Sequence, residues 1–451
     1  MRESLGFSLV PEVLDSGSPE ERSCFGMLSV RIGNSILTEG VDQHSSRSCD
    51  GPLVSGYHFA EWLAWNWWRL RWEWWYRQGS PEQVVCDWEF AHSMSAIGEG
   101  YAWPNLTIAS DGYQTAIVSD PTHDDRAIFR YISGQTILIP AKHLESAIDH
   151  YMSSILTRLD GDGIQGTNLQ SLWSELTAER QQSETAFFRR MEARLGCDPD
   201  ELDQSALRSR WLGDADRFGT GALEELASHV AYTGAQSEVM SANHIIEIAY
   251  QNGFDADRRD AVGLDLPDTE MELGDVEAWR VGEDRARRLQ LQEGLDTEKR
   301  VSNELLASLA GVTERALLDP RPIGEMSFFL NDGDFADRVV LASSWETGRR
   351  FALARLVGDR LFGWEDSLYP ATRSYSYRQK AQRAFAAELL SPFEAVNNML
   401  GADDSEERQN EIAQHYNVSP RTIESMLVNK GRISREEAAG IVSQNHSWVT
   451  G

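Results

Sequence analysis

Apolar positions are most strongly patterned in residues 346–362. Phe351, Ala354, Gly358 and Leu361 fall three or four apart and share one face of a helix. Leu353, Leu356 and Val357 widen that face, which predicts a core helix rather than a surface one. Two short β-type runs precede it, 326–330 and 338–341, with the turn-forming residues 331–334 between them. A second helix is predicted over 377–390, closed by Ser391-Pro392.

Residues 57–77 hold seven tryptophans within fourteen positions. On a continuous helix Trp62, Trp65, Trp68, Trp72 and Trp75 form one stripe, and Leu63, Trp67, Leu70 and Trp74 its neighbour. Asn66, Arg69, Glu73 and Arg77 collect on a narrow polar side. A helix apolar over most of its circumference is buried; an aromatic platform for stacked bases or a peptide is the functional alternative. Residues 1–50 are polar, with one β-like run at 27–32. Short β-type runs follow at 84–85, 106–108, 115–118, 127–132 and 136–139, separated by Asp, Gly, Ser and Pro. They predict a small antiparallel sheet packed on the Trp-rich helix.

Helical spacing returns at 140–159, 169–180, 184–195, 221–233 and 241–251. An acidic Pro/Gly linker spans 264–274, then amphipathic stretches run over 279–293 and 303–312. Near the C-terminus 406–416 and 420–430 predict helix, turn and helix, with Ser419 as cap and Pro420 in the first turn. The expected architecture is α+β. An N-terminal α+β domain covers 1–159, a helical region 160–270, a further α+β domain 271–401, and a helix-turn-helix-like segment 402–451.

Charge and composition narrow the function classes. The net charge of −29 opposes phosphate backbones and favours a basic protein partner. No apolar run reaches the length of a membrane span, so no membrane partner is expected. Cys24, Cys49, Cys86 and Cys197 lack metal-site spacing and predict free thiols in a reducing cytoplasm. His92, His143 and His150 are candidate ligands only if folding brings them together; singly they are core or surface histidines. Asp160-Gly-Asp-Gly163 lacks the later ligands of a calcium loop and predicts a plain loop.

The β-runs, Arg349-Arg-Phe-Ala-Leu-Ala354 with Gly358, and Phe385-Ala-Ala-Glu-Leu-Leu-Ser-Pro392 together resemble the ImmA/IrrE family of zinc metallopeptidases. The resemblance covers about 276–433 and implies a zincin-like core followed by a helix-turn-helix appendage. Family members carry an H-E-x-x-H pair and a distant carboxylate around zinc. Those positions here are Arg355, Leu356, Asp359 and Gln379. Arginine has no lone pair for a metal and leucine moves no proton. No His or Cys occurs from 245 to 414. No metal or cofactor is therefore expected there, and Arg355 and Asp359 are placed to pair at i,i+4 and plug the former site.

The reading that follows is a pseudo-peptidase. It would bind another protein as a regulatory or sensor component in prokaryotic stress, phage-defence or toxin–antitoxin settings. A metal-dependent hydrolase drawing on His92, His143 or His150 is one alternative. A DNA-binding regulator using Arg421, Thr422 and Lys430 within 406–433 is the other.

Overall fold

The computed structural model describes residues 4–75, 80–202, 204–233, 239–257, 259, 261–264, 273–321, 326–331, 337–433. The predicted turn at 332–334, most of the 264–274 linker, Arg77 and the chain beyond 433 lie outside the described residues. The protein is mixed α+β with small antiparallel sheets. It divides into two compact units, 1–205 and 206–451. The stretch 160–270 is shared between them: helices Asn168–Gln181 and Ser183–Arg194 belong to the first unit.

In the first unit Leu5–Pro11 pairs antiparallel with Phe25–Ile32, which also pairs with Ser35–Ile36 and Leu53–Ser55. The strand Leu5–Pro11 has no counterpart in the expected elements. Its signal is the alternation of Leu5, Phe7 and Leu9; Leu5 and Phe7 are buried. A second sheet places Gln114–Ser119 between Leu106–Ser110 and Gln135–Pro140. A third joins Arg47–Cys49, Gly40–Asp42 and Phe129–Tyr131. The 84–85 strand is not formed: Glu82–His92 is a helix whose buried side chains Trp88, Ala91 and His92 follow helical spacing. Two adjacent valines have no period and cannot distinguish strand from helix.

The Trp-rich stretch is not one helix. It forms Gly56–Trp65 and Trp67–Trp72, and Glu73 is already extended. The break falls at Asn66, with φ −96° and ψ 9°, whose Nδ2 joins its backbone N–H on the Trp62 carbonyl, at 2.9 and 3.0 Å. The stripes are reassigned accordingly. Trp62, Trp67, Trp68, Leu63 and Leu70 are buried, while Trp65 is 61% exposed. Arg69, expected on the polar side, is buried among Glu73, Asp87 and Asp198 at 2.7, 3.0 and 3.2 Å.

The second unit contains a four-stranded antiparallel sheet in the order Phe254–Ala256, Asp337–Val340, Ser327–Leu330, Leu368–Ala371. Helix Glu346–Leu361 packs on it; Leu353, Ala354, Leu356, Val357, Gly358 and Leu361 of the expected face are buried, and Phe351 is only partly so. Helix Tyr377–Leu390 lies against it and against Ala278–Gln292. The approach is close because Gly282 sits where a Cβ would stand 2.3 Å from the Ala381 carbonyl oxygen. Helix Gln204–Phe218, also not anticipated, has buried Trp211, Ala215 and Phe218 at helical spacing. Helices Glu406–Tyr416 and Pro420–Asn429 are joined by Asn417 in the left-handed region, φ 53°. Tyr416 Oη donates to the Thr297 carbonyl at 3.0 Å and Arg350 Nε to the Asn417 carbonyl at 3.2 Å, fixing the pair to its own unit.

Candidate functional site

Two helices and the strand end beside them build a buried polar cluster in the second unit. Glu346–Leu361 carries Arg355 and, one turn on, Asp359. Tyr377–Leu390 carries Arg378, Gln379, Gln382 and Arg383. Ser376 caps this helix by accepting from Gln379 N–H at 3.2 Å, and its own hydroxyl donates to Glu225 at 2.6 Å. Strand Leu368–Ala371 is followed by Thr372, whose carbonyl accepts from Arg355 and Arg383.

The expected Arg355–Asp359 pair is not formed. Asp359 is fully buried and bound by Arg378, with Nε to Oδ1 at 2.8 Å and Nη2 to Oδ2 at 2.7 Å. The reason is geometric. The neighbouring helix offers a two-pronged guanidinium contact, which outcompetes a single contact along one helix. Arg378 also holds Asp366. Burial opposes the charge of Arg378, but Asp359 and then Asp366 outweigh it and raise its pKa. Burial pushes the Asp366 carboxyl up, against the pull of Arg378.

Arg355 turns instead to neutral acceptors. Its Nη2 donates to Gln379 Oε1, to the Thr372 carbonyl at 2.8 Å and to Gln382 Oε1 at 3.2 Å. Burial, with the Arg383 charge second, holds its pKa well below the ordinary arginine value. Gln379 is fully buried. Its Oε1 also accepts from Thr372 N–H at 2.9 Å, and its Nε2 donates to the Pro370 carbonyl at 2.9 Å. Leu356 is a buried apolar residue. Positions 355 and 379 thus meet, although 24 residues separate them. Position 359 lies beside them through Arg378.

Arg378, Arg383, Asp366 and Thr372 did not figure among the sequence candidates. The four-residue spacing of Gln379 and Arg383 puts them on one helical face, a usable signal. The partnership of Arg378 with Asp359 needed the crossing of two helices.

The other candidates stand apart. His92 is fully buried, with Nδ1 2.7 Å from the Ile108 carbonyl and Nε2 3.0 Å from Glu73, and stacks on Trp88. His143 is partly buried and His150 exposed. Among the described residues no three His, Cys, Asp or Glu side chains are placed to hold a metal ion. Lys430 is engaged by Glu283 at 2.7 Å and covers the Trp279 ring at 4.7 Å. Thr422 bonds the Ser419 hydroxyl at 2.8 Å, and only Arg421 of this trio is exposed. Lys430 and Thr422 are both partly buried within their own unit.

The first unit has an open groove lined by Trp65, Phe90, Ile97, Glu61, Asp87 and Glu99. Trp65 and Phe90 are exposed large apolar side chains there. His58 also lines it, 3.7 Å from Glu61 and 3.3 Å from Glu21. Those carboxylates, Glu61 first, raise its pKa against the effect of burial.

All four cysteines are free thiols. No helix among the described residues is long and apolar enough to cross a membrane. Fold and cluster define a mixed α+β protein with an arginine-rich polar network between two packed helices. Compared with protein-family models, curated proteins and solved structures, the chain matches none.

Proposed function

We propose that this chain is a non-catalytic, protein-binding regulatory component on an ImmA/IrrE-like scaffold with a helix-turn-helix-like appendage. Its setting would be prokaryotic stress, phage defence or a toxin–antitoxin locus. The observation that supports the reading is the meeting of Arg355 with Gln379. These are two of the positions where the resemblance expects metal ligands, and each is a residue that cannot perform zincin chemistry. The first-unit groove, with acidic and exposed aromatic side chains, suits a basic partner segment.

The test uses the full chain co-expressed with the proteins encoded beside its gene. Expected are a stable complex on size exclusion, an uncleaved partner, and substoichiometric zinc by elemental analysis. One tightly held zinc per chain with cleavage of the partner would overturn the proposal.

A further inference from the structure

Arg355 and Arg383, two neighbouring cations of the second unit, are held by neutral acceptors. Arg355 and Arg383 come from different helices, and both donate to the Thr372 carbonyl, at 2.8 and 3.4 Å. Their guanidinium groups therefore lie side by side. The remaining acceptors are neutral: Gln379 and Gln382 for Arg355, and the Ser374 carbonyl at 2.6 Å for Arg383. Among the described residues no carboxylate stands at ion-pair distance from either. The carboxylates of the cluster are engaged elsewhere, Asp359 and Asp366 by Arg378 and Glu225 by the Ser376 hydroxyl. Glu225 attracts both arginines only at longer range.

Arg355 Nε and Arg383 Nη1 are buried donors with no acceptor. Such groups are rare in folded proteins and call for a partner. Both residues are nevertheless partly exposed. The Tyr375 ring lies 5.0 Å from the Arg383 guanidinium and fixes its plane. Two like charges held together by carbonyl dipoles in a shielded setting gain most from a shared anion. Paired guanidinium forks match the oxygens of a phosphate or a carboxylate.

We propose that Arg355 and Arg383 form a binding site for a compact oxyanion, the phosphate or carboxylate group of a ligand. The site stands on this geometry and not on the family resemblance. It would survive a zinc result that overturned the regulatory reading.

Isothermal titration of the full chain with inorganic phosphate, and separately with acetate, at matched ionic strength tests it. Expected is saturable one-to-one binding of at least one anion; which one binds tells phosphate from carboxylate. Arg355→Met and Arg383→Met should each weaken binding by about tenfold or more, the usual effect of losing one charged fork. Arg421→Ala, at an exposed site, should leave binding unchanged. If either methionine variant fails to fold, Arg355→Lys and Arg383→Lys keep the charge, lose the fork and should bind more weakly than wild type. No saturable binding of either anion to the wild type, or equal binding by wild type and all variants, would refute the site.

Discussion

At the scale of single residues the second unit turns on who holds Asp359. The carboxylate is fully buried, and its bonds run to Arg378 rather than to Arg355. Removing one partner of a buried pair leaves an uncompensated charge and costs about 3–5 kcal/mol. Asp359→Ala is therefore expected to destabilise strongly in urea denaturation, with Asp366 retaining part of the Arg378 charge balance. A double-mutant cycle separates the partners. Coupling of Asp359 to Arg378 should be large, and coupling of Asp359 to Arg355 less than half of it. Equal couplings would return Asp359 to the i,i+4 pair. The sequence showed that these positions carry opposite charges one helical turn apart. It could not show the pairing, because Arg378 reaches Asp359 from a helix nineteen residues on.

At the scale of elements, close helix packing decides where glycine is required. Gly282 lies in the Ala278–Gln292 helix, where alanine would gain up to about 1 kcal/mol in helix propensity. An added Cβ would stand 2.3 Å from the Ala381 carbonyl oxygen and 2.8 Å from the Phe385 nitrogen, and backbone atoms cannot rotate away. Overpacking of this kind typically costs about 1–3 kcal/mol. Gly282→Ala is expected to lower the urea midpoint despite its better propensity. A raised midpoint would mean that the two helices separate at no cost. The helices Glu406–Tyr416 and Tyr377–Leu390 were legible to the residue, because caps and periodic apolar positions are local. The break in the Trp-rich stretch was not. Uniform tryptophan masks periodicity, and Asn66 acts through a contact with Trp62 that reads equally well as a helical polar face.

For the whole molecule, charge sets the partners it can meet. At −29 the chain repels phosphate backbones, and Lys430 and Arg432 are already held by Glu283 and Asp404. Fluorescence anisotropy at physiological salt should give duplex affinity no tighter than the about 10⁻⁴–10⁻⁶ M of non-specific binding, without sequence preference. Nanomolar binding to a defined site, lost in Arg421→Ala, would reverse this expectation. A compact oxyanion escapes the argument, because two adjacent guanidinium groups act on it at contact distance while distant charges are screened.

The sequence by itself determined the mixed α+β class, most helices, and that positions 355 and 356 hold an arginine and a leucine, which offer a metal no lone pair. These are properties of residue type and of periods within one element. Only the tertiary structure decided that Arg378 takes Asp359, that Arg355 joins Gln379 and Arg383 around the Thr372 carbonyl, and that Arg69 is buried. Each rests on contacts between elements distant in the chain, where several arginines could satisfy one carboxylate. Spacing along a sequence ranks none of them. Helices Glu346–Leu361 and Tyr377–Leu390 meet closely at Gly358, where a Cβ would stand 2.5 Å from the Phe385 ring, and there one guanidinium fork reaches Asp359 while two others take neutral acceptors.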